Sequence, residues 1–177
     1  MRLKRTTREI HQLNKKRKAP DEMGSLVVLL HNIRSMHNTG SAFRSCDALG
    51  VGELWLTGYT PAPPRPEISK TALGADETVH WEYREDFDQA YEELKSRGYK
   101  FAAAEQTSES ELLTEFNTPK NSRWCVIFGN EVTGVDEDVL KKCDIILEVP
   151  QYGEKHSFNV SVSIGIFLYH LLLRFSS

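Results

Sequence analysis

Apolar positions in this chain fall into short unbroken runs that alternate with stretches of helical spacing. Residues 25–30 (SLVVLL), 53–57 (ELWLT), 99–104 (YKFAAA), 124–128 (WCVIF) and 145–149 (IILEV) are runs of strand length. A strand with one wet face alternates apolar and polar residues, whereas an unbroken run suits a parallel strand covered on both faces. Between these runs, Ala42, Phe43, Cys46 and Leu49 recur at helical spacing before Gly50, with Asn38 or Thr39 as the expected cap. Residues 86–97 read as an amphipathic helix stopped by Gly98. Further helices are expected over 2–18 (ended by Pro20), 67–73 (closed by Gly74), 108–116, 136–142 and 159–175, and a further strand over 77–81. Strands that keep alternating with helices predict an α/β domain with a mainly parallel sheet flanked by helices.

A chain of 177 residues is one domain's worth and hides roughly 70% of its unfolded surface. Its charge divides it further. Residues 1–20 carry eight Lys/Arg against Glu9 alone, so the formal net charge of −3 places about −10 on the rest. The expectation is a basic helical arm over 1–24 ahead of a domain at 25–177. A basic arm on an acidic body suits a polyanion, because neutralising phosphates releases condensed counterions; a solvated, frayed tail is the plain alternative. Arg5, Arg8, Lys15 and Lys16 are the arm's candidate contacts, with Arg34, Arg65, Lys70 and Lys155 in loops or short helices beyond it. Three cysteines without C-x-x-C spacing indicate neither a disulfide framework nor a zinc site, and fit a reducing, cytoplasmic setting. Residues 160–173 are too short and too interrupted by Ser161, Ser163 and His170 to span a bilayer.

Candidate chemistry concentrates where strands end. The run at 124–128 breaks into Gly129-Asn130-Glu131, which puts a carboxylate in a turn. The run at 145–149 ends at Val149-Pro150, and a polar loop then hands Ser157 and Asn159 to the start of an apolar helix. Two strand ends and one helix start on one side of a sheet are where α/β proteins hold ligands. Gly129-x4-Gly134 begins like a phosphate loop but continues Val135-Asp136 instead of Lys and Ser/Thr, and Gly50-x-Gly52 lacks a third glycine, so ATP and NAD are not expected. His31 and His37 fall six apart, and no H-x3-H or H-E-x-x-H occurs, so no metal is expected either.

Three segments, NIRSMHNTGSAFRSCDALG at 32–50, WCVIFGNEVTGVD at 124–136 and VPQYGEKHSFNVSVSIGIFLYHL at 149–171, resemble the three motifs of the SpoU–TrmH family of RNA ribose 2′-O-methyltransferases, in the SPOUT superfamily. The resemblance spans roughly residues 26–174. Where the family usually reads Ser-Leu-Asn, this chain has Phe158 between Ser157 and Asn159. The resemblance implies a C-terminal deep trefoil knot, a homodimer, S-adenosyl-L-methionine as cofactor and tRNA or rRNA as substrate.

The resemblance also implies roles for residues. Arg44 matches the first motif's arginine. Guanidinium keeps its proton at any ordinary pH, so Arg44 is expected to clamp a phosphate bidentately and stabilise the developing alkoxide, not to act as a base. Glu131 is expected to orient Arg44 or the substrate. Asn38, Ser157 and Asn159 are expected to hold ribose hydroxyl or phosphate, although each has the chemistry of a helix cap or turn. Leu56, Thr57, Gly129, Val149 and Phe158 are expected beside the cofactor, much of it through backbone groups. The stiff, proline-rich loop at 59–66 is expected to flank the pocket. A non-catalytic RNA-binding or assembly protein on the same scaffold, and a SPOUT base methyltransferase, are the alternatives.

Overall fold

The computed structural model describes residues 3–117, 121–154 and 157–176. Seven strands form one sheet, all paired in parallel: β1 Val27–His31, β2 Glu53–Thr57, β3 His80–Arg84, β4 Lys100–Ala104, β5 Glu111–Leu112, β6 Trp124–Phe128 and β7 Ile145–Glu148. Their order is β3-β2-β1-β6-β4-β7-β5. The helices are α1 Thr7–Asn14, α2 Asp21–Gly24, α3 Met36–Leu49, α4 Pro66–Ala72, α5 Ala75–Thr78, α6 Phe87–Ser96, α7 Glu137–Leu140 and α8 Val160–Phe175.

The unbroken apolar runs have the expected cause. Side chains along a strand alternate between faces, and here both faces are covered. Val28, Leu30, Leu54, Leu56, Val126 and Phe128 enter one core with α3, α4 and α8. Val27, Leu29, Trp55, Cys125 and Ile127 enter a second core with α6 and α7. One strand thus feeds two cores.

Most boundaries shift by a residue or two from the sequence reading, and some shift further. The segment expected as a helix at 108–116 is instead β5 followed by a 3₁₀ turn at Leu113–Glu115. There the Ser110 hydroxyl donates to Glu148 at 2.6 Å and so draws the segment alongside β7. The strand expected at 77–81 begins at His80, because α5 occupies Ala75–Thr78. Of the helix expected over 2–18, the described residues form only Thr7–Asn14, started by a capping box of Thr6 and Glu9, and no residue of it is buried, so packing adds no further turns; Asp21–Gly24 forms a separate short helix. Helix α3 starts at Met36 because Ser35, not Asn38 or Thr39, accepts the capping bond, from the Asn38 N–H. Among the described residues no helix is long and apolar enough to cross a membrane.

Candidate active site

Strands β1 and β6 are parallel neighbours, so the loops that follow them leave the same edge of the sheet side by side. This brings Glu131, after β6, to the turn after β1. Its carboxylate accepts from the backbone N–H of Arg34 at 2.9 Å, the backbone N–H of Ser35 at 3.0 Å and the Asn38 side-chain amide at 2.9 Å. Because Ser35 supplies the helix cap, the Asn38 side chain is free to make this bond. Burial works to raise the Glu131 pKa, but the bonds from Arg34, Asn38 and Ser35 outweigh it, and the net direction is down. The carboxylate is held ionised, with its donors fixed around it.

Asn130 ties three loops together. Its side-chain oxygen accepts from the N–H of Val132 and Thr133, while its amide nitrogen donates to the Asn32 carbonyl and the Tyr59 hydroxyl, both at 2.9 Å. Asn32 itself sits at φ 56°, a left-handed position that asparagine tolerates, and its amide donates to Asp136 at 3.0 Å. Beneath it, His31 lies 2.8 Å from the Thr57 hydroxyl and 3.1 Å from Asp136. Burial lowers the His31 pKa, and Asp136 offsets only part of that, so the ring stays neutral near pH 7. An Nε2–H tautomer satisfies Asp136 and leaves Nδ1 to accept from Thr57.

A cavity of about 430 Å³ opens beside this network, at the carboxyl ends of the adjacent strands β6, β4 and β7 and the start of α8. Gly129, Val149 and Phe158, expected beside a cofactor, and Glu131 and Ser157, expected on the ribose side, all line it. Its walls are mixed: Leu140, Leu147 and Phe167 supply apolar surface, Glu105, Glu131 and Glu148 carboxylates. The loop that frames it turns so tightly that a Cβ on Gly129 would lie 2.2 Å from the Gly134 carbonyl oxygen. Glu105 clasps that loop by accepting from the Val135 N–H at 2.9 Å. Such a pocket suits a ligand with a flat apolar part, polar edges for backbone groups and a positive centre.

The structure leaves other expected residues outside it. Leu56 is fully buried core, and the Thr57 side chain is committed to His31. The reason is strand order: β1 stands between β2 and β6, so the loop after β2 opens elsewhere. That loop, with Arg34 and Arg65, lines a second cavity of about 600 Å³. Asn159 caps α8, its side-chain oxygen accepting from the Ser161 N–H at 2.9 Å, and is not among the lining residues. Arg44 is exposed and lines a third cavity of about 420 Å³ with Ser41, Ser45, Ala48, Lys70 and Thr71; no described bond joins it to Glu131 or Asn159. Arg5, Arg8, Lys15 and Lys16 lie exposed on or beside α1, and Lys155 falls outside the described residues. Sequence reasoning passed over Glu105, Asn130, Asp136 and Tyr59. Glu105 follows a strand end as Glu131 does, which was a usable signal; the others depend on contacts between loops.

A parallel α/β sheet with a mixed apolar and acidic pocket at its strand ends, framed by a glycine turn and a helix start, defines a ligand-binding domain of the doubly covered class. More narrowly, the chain belongs to the SpoU rRNA Methylase family, whose model matches residues 25–169. It is 32% identical over 143 residues to the 23S rRNA (guanosine-2′-O-)-methyltransferase RlmB of Neisseria meningitidis, covering 81% of this chain and 56% of that protein. It is 33% identical over 148 residues to the tRNA (guanosine(18)-2′-O)-methyltransferase of Aquifex aeolicus, covering 81% and 67%. The chain thus spans little more than half of the first of these relatives. Among solved structures, the A. aeolicus TrmH/SpoU tRNA modifying enzyme superposes with a TM-score of 0.75 at 26% identity, over 94% of this chain and 82% of that one. The SpoU methyltransferase AviRb from Streptomyces viridochromogenes, in complex with AdoMet, superposes with 0.78 at 20% identity over 85% and 61%, a likeness of fold.

Proposed function

We propose that this chain methylates a ribose 2′-hydroxyl of tRNA or rRNA, with S-adenosylmethionine as donor. The observation that carries the reading is the clasp of Glu131 on Arg34, Ser35 and Asn38 at the mouth of the 430 Å³ cavity, which joins the first and second family motifs in one site. The Neisseria and Aquifex relatives, both named as RNA 2′-O-methyltransferases, support the same chemistry. Bound in the cavity, the donor supplies an electrophilic methyl group on a positive sulfur. Leu140, Leu147, Phe158 and Phe167 offer its apolar part a surface, Gly129 and Val149 offer backbone groups, and the carboxylates suit its charge.

The ribose side falls to Asn38, Glu131, Ser157 and Asn159, with Arg44 as phosphate clamp and stabiliser of the alkoxide. Holding the hydroxyl and donor in line is worth roughly 7–11 kcal/mol in favourable cases, which makes positioning the larger share of the work. Arg44 lies apart from the donor cavity within one chain, so the reading includes a homodimer in which Arg44 of one protomer approaches the cavity of its partner. Helix α8 supports a dimer: it is apolar on most sides, yet Val162 and Tyr169 are about half exposed. A trefoil knot formed by the C-terminal segment and a cytoplasmic setting complete the proposal; buried, unpaired Cys46 and Cys125 suit a reducing compartment.

The test is calorimetry with S-adenosylmethionine, followed by transfer of a tritiated methyl group to bulk RNA and nuclease digestion. Label on ribose is expected, and Arg44→Lys should lose about 100-fold or more in transfer with donor affinity unchanged, since an ammonium lacks the planar fork. Label on a nucleobase, no label, or a monomer in sedimentation equilibrium would each overturn the corresponding part.

A further inference from the structure

The second cavity, about 600 Å³, is walled by Arg34, Met36, Tyr59, Thr60, Pro61, Ala62, Arg65 and Tyr83. Two features set it apart from ordinary surface. Tyr59 and Tyr83 are 61% and 40% exposed, yet both hydroxyls are bonded, Tyr59 accepting from Asn130 at 2.9 Å and Tyr83 donating to the Gly58 carbonyl at 2.8 Å. The rings are therefore tethered at their polar ends while their apolar faces remain open. Beside them stand the exposed guanidiniums of Arg34 and Arg65, neither with a hydrogen-bond or ion-pair partner among the described residues.

Tethered aromatic faces bordered by unpaired guanidiniums are the surface that single-stranded nucleic acid recognises: bases stack on rings or on guanidinium planes, and the cations meet the backbone phosphates. The cavity is also wired to the first one. Asn130, which holds Tyr59, lines the donor cavity, and Glu131, which also lines it, holds the Arg34 backbone.

Resting on the methyltransferase reading, we infer that this cavity is a stacking subsite for an unpaired RNA nucleotide close in the chain to the one that is methylated, with Tyr59 as platform and Arg34 and Arg65 on its phosphates. Such a subsite favours targets in loops or bulges over regular helix, whose bases are stacked away.

The experiment uses the full chain with two fluorescein-labelled probes, a single-stranded oligouridylate 12-mer and the same 12-mer with abasic riboses, titrated by fluorescence anisotropy at two salt concentrations. Tyr59→Leu should weaken binding of the base-bearing probe about 10-fold, leave the abasic probe within about 2-fold and leave the salt slope unchanged. Tyr59→Phe, which keeps the ring but loses its tether to Asn130, should fall between wild type and Tyr59→Leu. Arg65→Ala should weaken both probes and reduce the salt slope by about one. Equal affinity of the wild type for both probes, or no effect of Tyr59→Leu, would overturn the subsite. The methyl-transfer assay separates the two readings: RNA methylation with base-blind binding removes the subsite alone, and base-dependent binding through Tyr59 without any methyl transfer removes the enzyme alone.

Discussion

At the scale of single residues, Glu131 decides most. Its carboxylate bonds two backbone N–H groups and one side-chain amide from a segment more than ninety residues earlier. Glutamine in its place would turn an NH₂ toward donors or leave one of them unmet. Glu131→Gln should therefore cost about 1–3 kcal/mol in unfolding free energy and speed amide exchange at Arg34 and Ser35. The pH dependence follows from the lowered pKa: the contribution is complete above the ordinary glutamate value of 4.5 and disappears as pH falls through the lower folded-state value. Acid melts should show a shallower loss of stability in that range for Glu131→Gln than for wild type; parallel curves would contradict the clasp.

Between elements, α3 presses closely on α4. A Cβ on Gly40 would lie 2.1 Å from the Thr71 hydroxyl oxygen and 2.3 Å from the Ile68 carbonyl, which α4 cannot move aside without shifting its backbone. In a free-standing helix, Gly→Ala stabilises by up to about 1 kcal/mol. Here the sign should reverse, and Gly40→Ala should lower stability by about 1–3 kcal/mol in thermal or urea unfolding, because overpacking opens the α3–α4 contact. An alanine variant as stable as wild type would show that the two helices are not pressed together. The consequence reaches function, since α3 carries both Asn38 and Arg44.

For the molecule as a whole, charge and core are separate. The body's two cores take in Met23, with Ala19 packed against it, but nothing from α1, which buries no residue. Deleting residues 1–18 should leave the melting temperature and S-adenosylmethionine affinity unchanged, while weakening RNA binding and reducing the slope of log affinity against log salt. A truncated chain that bound RNA with the same slope would make the arm a bystander.

How much of this was legible beforehand depended on the range of the interaction. Periodicity located β2 and β6 to the residue, and the ends of β6 and β7 marked where a pocket would open, because burial of both sheet faces leaves its pattern in the local sequence; the end of β4, which also frames the cavity, was not marked. Local signals misled where a neighbour intervened, as at Ser110, whose bond to Glu148 turns a helix-like segment into an edge strand. The chain's own order of residues thus determined the parallel α/β class, the glycine turn at 129 and the carboxylate at 131. Only the tertiary structure decided that β1 lies between β2 and β6. That placement joins Glu131 to the turn after β1, sends Leu56 and Thr57 away from the 430 Å³ cavity and gives the Tyr59 loop a cavity of its own, since strand order is set by packing between segments distant in sequence and leaves no trace in any one of them.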